Sequence, residues 1–594
     1  MLPFDNQTGE NAADWLSVAV QGVLADQLAV SQARHVFPAP AIRDAYLGRA
    51  SAVLHGYVAK DSQGRLRLKG YIEDLVTHRT VRHLEVRMEG DRVLEAAGEI
   101  ARQLDPGAQP FGTSNLEALR HYAEGLAESE PSKASAAFER SVAADPNFGP
   151  GYVAWVRQLA AMGDRERVGR VLGAARDLDR SLRPIDRAQL NYLAVSLRGD
   201  AAARIRAMKE LATLTPNDSD LMRNLALAVL RIRDYQAAVH WYGRAAALEP
   251  SDPAVWNQLA YTQAYTGDLK GAVGSLEVYR KLTPESPNPD DSLGDVHFHA
   301  GQFAEAEKHF VAAQSRDPRF LGGGSLLKAA HARLMRGDVE GADEQFGGYL
   351  EIRKQLNDPL IEYRRAQWEY LSGRHKQAAA RLESFARGQR ADSAALAYAQ
   401  LAVWLLQQGG DREAVREYAR RAAESARSPQ SANLAAICRF LAGAAGTASE
   451  FAVRAEREFP DPGQSTMKQY ALAYALLLHQ HFREASLVLR EILEQTTPFT
   501  AGQLNALLAW ALIESDQVAE ARSYLETWPI PEAQGEPTFS SLVLPRLFYL
   551  RGVLLESEGR AEESRQSFAL FLKLAGEKPT IFGDRERARA ALAR

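Results

Sequence analysis

A long stack of helix pairs headed by a small α/β domain is the fold that the sequence predicts, and three observations carry the prediction. Pro216, Pro250, Pro284 and Pro318 follow one another at a constant spacing of 34 residues. The same small, large, small residues stand ahead of these prolines. The chain also changes grammar near Asp105, from alternating strand and helix signals to helix alone. With 594 residues, 46% of them hydrophobic and 25% charged, the chain can bury a large core, which excludes a mainly disordered or collagen-like protein. Its 71 basic and 75 acidic residues give a formal charge of -4, so whole-molecule electrostatics favour neither nucleic acid nor an anionic membrane. A single cysteine, Cys438, excludes intrachain disulfides and any cysteine-rich zinc site.

Leu2 to Phe4 reads as a short buried strand. Asp14 to Leu28 carries apolar residues at helical spacing, and Val36 to Pro38 is extended ahead of a second helix around Ile42 to Leu47. Val53 to Ala59, Leu66 to Leu75 and Val81 to Met88 are rich in β formers and are separated by two turns, which predicts an antiparallel meander. Val93 to Leu104 closes the unit as an amphipathic helix. The segments LPFDNQTG, ADWLSVAVQGVLADQLA and LHGYVAKDSQGRLRLKGYIEDLVTHRTV, with that closing helix, resemble the TolB amino-terminal-like domain of bacterial signalling proteins. The resemblance brings no catalytic residue. It implies a first strand lying inside its sheet, and fewer apolar residues precede Leu-Pro-Phe than such domains have. The resulting expectation is an in-frame extension ahead of Met1.

Beyond Ser114 a 34-residue period identifies tetratricopeptide repeats. Ala134, Phe138 and Ser141 stand before Pro146, Ala238, Tyr242 and Ala245 before Pro250, and Ala306, Phe310 and Ala313 before Pro318. A small residue lets the second helix approach the first, the aromatic fills the gap, and the proline ends the helix. Turns near residues 129, 163, 199, 233, 267, 301, 337, 373, 409, 445, 480, 516 and 559 predict about thirteen helix pairs, interrupted by the Pro- and Gly-rich segment Trp528 to Pro545. The expected fold is therefore mainly α, a tetratricopeptide-type α-α superhelical solenoid preceded by a small α/β domain. Its expected divisions are 1–105 for that domain, 106–114 for a linker and 115–594 for the solenoid. If each repeat touches only its neighbours, the particle is elongated.

The stretch NLEALRHYAEGLAESEPSKASAAFERSVAADPNFGPGYVAW resembles the start of the repeat region in the sensory half of certain bacterial serine/threonine kinases. No kinase activity comes with it, because the Gly-rich loop, the catalytic loop and the Asp-Phe-Gly motif are all missing.

Other chemical candidates fall to simple geometry. Leu321-Gly322-Gly323-Gly324-Ser325 lacks the Gly-Lys-Ser/Thr ending of a phosphate loop and reads as an inter-unit loop. His297 with His299, and His479 with His481, are two apart, which on a helix turns the rings away from one another and rules out a shared metal. The basic stretch His78 to His83 has acidic neighbours Glu85 and Glu89 and reads as a solvated edge. No catalytic residue, cofactor or metal is expected.

What a solenoid can do is hold a protein or peptide on the inner face lined by the first helix of each unit. The inner slots fall at Arg223, at Asn257, Tyr261 and Tyr265, and at Asp291, Asp295 and His299. Tyrosine and arginine are the types that most often anchor a partner. The sequence thus predicts a non-enzymatic interaction or scaffold protein in bacterial signalling, with no nucleic acid and no direct membrane insertion. It leaves the oligomeric state unknown. The rival readings are the regulatory half of a split or truncated kinase or nucleotide cyclase, and a transcription regulator lacking its DNA-binding segment. The amino terminus has no basic segment followed by an apolar one, which predicts a cytoplasmic location by default.

Overall fold

The computed structural model describes residues 1–31, 35–88, 92–178, 181–498, 501–530, 538–576 and 580–594. Glu89 and part of the Pro- and Gly-rich interruption, 531–537, lie outside the described residues. The chain divides into two compact units, Met1–Val229 with His240–Pro250, and Leu230–Val239 with Ser251–Arg594. Among the described residues no helix is long and apolar enough to cross a membrane.

The first unit opens with a four-stranded sheet in the order β1 (Phe4–Gln7), β2 (Ala52–Lys60), β3 (Leu66–Asp74), β4 (Arg79–Arg87). Strands β2, β3 and β4 form the expected antiparallel meander, and β1 runs parallel to β2 with Phe4 opposite Gly56. Phe4 is fully buried there because residue 56 has no side chain: a Cβ would stand 2.6 Å from the Phe4 ring and 2.0 Å from the Lys69 carbonyl oxygen. One expectation is corrected. β1 is an edge strand and not an interior one, since among the described residues the sheet pairs it with β2 alone, while the segment Phe37–Ala39 bonds to Met1. The Ala39 N–H donates to the Met1 carbonyl at 2.8 Å.

Helices α1 (Trp15–Leu28) and α3 (Val93–Leu104) cover one face of the sheet, and α2 (Ile42–Leu47) is a short connector. The core under α1 and α3, with Val20, Val23, Leu24, Leu68 and Ile100, continues without a break into the first helix pair, α4 (Leu116–Ala127) and α5 (Pro131–Ala144), through Leu119 and Ala123 of α4, Ala144 of α5 and Phe148 just beyond it. Phe111, in the segment read as a linker, is a buried member of that same core. Arg183 fastens the junction: its guanidinium donates to both carboxylate oxygens of Asp26 at 2.7 and 2.8 Å, to Asp186, and to the Pro110 carbonyl at 3.0 Å.

The repeat follows from its own residues. Gly163, Gly199, Gly267, Gly301, Gly337, Gly373, Gly409 and Gly559 all take the left-handed conformation at predicted turns, and Arg233, Gln480 and Asp516 take it without being glycine. The turn near 129 is built differently. Glu128 is extended there and Pro131 opens the next helix. Ala306, Phe310 and Ala313 are fully buried, and the Phe310 ring lands on Gly294 of the preceding helix, where a Cβ would stand 2.4 Å from it.

The expectation that each repeat touches only its neighbours fails in the second unit. Described residues from four later points of the chain meet the row of interhelical turns: Trp528 packs at Gly301, Lys573 donates to the Gly337 carbonyl at 2.7 Å, Gly576 lies on Gly373, and the Ile581 N–H donates to the Gln407 carbonyl at 3.1 Å. Buried Gln400 and Gln407 reach Thr538 and Ser541, and the Tyr474 and Phe539 rings stack at 4.0 Å. Left-handed turns crowded with glycine leave bare backbone, and bare backbone admits a close second chain segment.

Candidate functional site

Asn257, Tyr261 and Tyr265 are four residues apart on the helix Pro253–Tyr265 and share one face. Asp291, Asp295 and His299 occupy the same slots one period later, on the helix Asn288–His299, and Ser325 follows Asp291 on the helix Gly324–Met335. Because the period equals the repeat, equivalent positions in consecutive repeats touch. The Tyr261 hydroxyl donates to Asp295 at 2.8 Å, the Tyr265 and His299 rings meet edge to face at 5.5 Å, and the Ser325 hydroxyl donates to Asp291 at 2.7 Å.

The structure brings six of the seven candidate residues together in the second unit. Arg223 belongs to the first unit, where it pairs with Asp220 and approaches Glu249 to 4.0 Å. Asp291 and Asp295 are not open to a partner. Both are buried around the Lys328 ammonium, which donates to them at 2.7 and 2.8 Å. Burial pushes the Asp295 carboxyl up to about 6; Lys328 opposes that shift and the Asp291 charge adds to it. The ammonium faces two carboxylates and keeps its proton more firmly than an ordinary lysine, since their combined attraction exceeds its own burial penalty. Burial and the Asp295 charge together hold the Tyr261 hydroxyl well above the usual range.

His299 is committed to the chain's own later segment. Its Nδ1 lies 3.0 Å from the Trp528 carbonyl oxygen, so this nitrogen carries the proton and donates, and the Trp528 N–H donates back to the His299 carbonyl at 2.9 Å. Burial holds this imidazole below its ordinary pKa. The Trp528 ring is boxed by Phe303, Phe548 and the Arg551 guanidinium, which sits 4.0 Å from its centre.

Two of the six are different. The Asn257 side-chain oxygen and the Tyr265 hydroxyl are buried and have no hydrogen-bond partner among the described residues. Among the described residues no three His, Cys, Asp or Glu side chains stand close enough to hold a metal ion. The glycine-rich loop is packed, with Gly323 against Ile352. Lys328 and Trp528 escaped the sequence reading as site residues, and Ser325 was read only as the end of an inter-unit loop, whereas it stands on the helix Gly324–Met335. A lysine or serine at the start of a helix carries no mark of burial, and Trp528 lay in a segment whose only signal was its proline and glycine content.

A scan against protein-family models finds no match. Among curated proteins, Small glutamine-rich tetratricopeptide repeat-containing protein 2 of Mycosarcoma maydis is 26% identical over 108 residues, which cover 17% of this chain and only 31% of that protein. Among solved structures, YrrB, described as a TPR protein with an unusual peptide-binding site, is 15% identical over 31% of this chain and 94% of its own, with a TM-score of 0.28. MamA is 17% identical over 29% of this chain and 93% of its own, with a TM-score of 0.26. The Naa15/Naa10 assembly bound to HypK-THB is 12% identical over 80% of this chain and 78% of its own, with a TM-score of 0.29. The 34-residue spacing of Pro216, Pro250, Pro284 and Pro318, the left-handed turns and the aromatic seated on a glycine of the preceding helix agree with a tetratricopeptide-like solenoid fold for the helical array.

Proposed function

We propose that this chain is a non-catalytic interaction or scaffold protein that grips a peptide or protein partner on the face bearing Asn257, Tyr261 and Tyr265. One observation carries the reading. Asn257 and Tyr265 stand about 12 Å apart along one helix, the length of three to four residues of extended peptide, and each keeps a buried polar atom without a partner. Such atoms cost roughly 1–3 kcal/mol each when unmet. Unlike Asp291 and Asp295, both residues are only half-buried as a whole, so a small turn of either side chain brings its polar atom to a backbone N–H or a backbone carbonyl of a partner strand. Asp291, Asp295 and His299 act behind this pair as its packed support, and Arg223 holds the equivalent slot in the first unit. A role in bacterial signalling belongs to the same proposal, supported by the order of elements in residues 1–105, as does the division into an α/β domain, a linker at 106–114 and repeats from 115 to 594.

The test compares Tyr265→Phe combined with Asn257→Leu against the unaltered full chain in capture from lysate. The expected outcome is at least a tenfold loss of the captured partner with melting unchanged or raised, because two unmet polar atoms have been removed. Equal capture by a folded double variant would overturn the site.

A further inference from the structure

In the first unit, a cleft of about 820 Å³ opens between α1, α3 and the segment 108–116. Gln27 reaches into it from α1. That side chain is 5% exposed, and its amide oxygen has no hydrogen-bond partner among the described residues. Arg102, on α3, lines the same cleft, is exposed, and makes no ion pair or hydrogen bond among the described residues. Between them lies Gly98. A glycine in the middle of a helix is unfavourable and calls for a packing reason. Here a Cβ would stand 3.3 Å from the Gln27 amide nitrogen and 3.4 Å from an Arg102 guanidinium nitrogen, so the bare backbone is the floor over which the two groups converge.

The other charges of the cleft are committed. Arg92 pairs with Glu95 at 3.4 Å on the rim. Asp145 accepts from the Thr113 hydroxyl and from the Asn147 N–H. What remains unmet is one guanidinium and the buried oxygen of one amide, beside apolar walls from Leu94, Phe111 and Leu116. A guanidinium fork matches a carboxylate or phosphate, and a few placed polar groups in an otherwise apolar cleft are how small ligands are oriented.

We infer that this cleft binds a small organic anion, its carboxylate or phosphate on Arg102 and a second polar group on the Gln27 amide. The inference is independent of the peptide face, since none of its residues belongs to the second unit.

Citrate and inorganic phosphate, each titrated into the full chain at constant ionic strength, are the probes, with thermal melting and calorimetry as readouts. One or both anions should raise the melting temperature, and the stronger of the two identifies the headgroup as carboxylate or phosphate. Arg102→Glu, a change at an exposed side chain that leaves the fold intact, and Gly98→Ala, which fills the floor, should each weaken binding at least fivefold. Arg170→Gln, a surface change elsewhere in the same unit, should leave it unaltered. Binding that survives Arg102→Glu, or melting that responds to neither anion, would overturn the assignment.

Discussion

Lys328 holds two carboxylates with one ammonium, and this imbalance decides what the surrounding residues tolerate. Removing one partner of a buried ion pair leaves an uncompensated charge, so Lys328→Met should destabilise the chain by about 3–5 kcal/mol in urea unfolding. Adding Asp291→Asn and Asp295→Asn should return most of that loss, since the three act as one unit. Burial, opposed by Lys328, pushes the carboxyl of Asp295 up to about 6 in the folded chain, against an ordinary value of 3.8. Folding therefore takes up a proton between those values. The contribution of this group is fully present below about pH 4 and disappears as pH rises through about 6. The stability of the unaltered chain relative to Asp295→Asn should accordingly fall from pH 4 to pH 7, by on the order of 1–3 kcal/mol. A flat difference across that range would mean that Asp295 is ionised throughout.

At the scale of the element, the interhelical turns do two different jobs with one residue type. Gly267 needs its glycine only for the left-handed backbone, as nothing lies within 4 Å of where a Cβ would be. Gly409 needs it also for space, because a Cβ there would stand 2.7 Å from Ile581. Gly267→Ala should cost about 1–2 kcal/mol, the price of that conformation in a residue with a Cβ. Gly409→Ala should cost about 1–3 kcal/mol more, because it also overpacks a filled site. Thermal melting of the two variants side by side decides it. The turn positions themselves were legible in the sequence, since period and glycine both report local geometry. The second requirement was not: whether a turn is open or covered depends on a segment more than a hundred residues away.

For the molecule as a whole, the second unit departs from a simple stack because its later residues return to its earlier turns. Trp528 is the point of firmest return, boxed by Phe303, Phe548 and Arg551 and bonded through its backbone to His299. Trp528→Ala should cost about 3–5 kcal/mol, and hydrogen exchange should quicken at Gly301 and Gln302 as well as near residue 528. Loss of protection confined to the neighbourhood of 528 would show that the return carries no stability. The sequence made the candidate face legible as a row of equivalent slots, because spacing fixes which side chains share a helix face. It could not tell Asn257 and Tyr265, which keep unmet polar atoms, from Asp291 and Asp295, which Lys328 claims. That distinction is made by three-dimensional neighbours with no periodic trace. The same limit hid the return of Trp528, and with it the contacts between repeats that are not neighbours.

The bond between His299 and Trp528 also orders events in time. The two residues are 229 positions apart, so at about 5–20 residues per second of synthesis roughly 10 to 45 s separate their emergence from the ribosome. Throughout that interval Phe303 and the turn at Gly301 are without their cover. The nascent chain thus presents an apolar patch before the segment that seals it has been made, which is the kind of surface that chaperones hold.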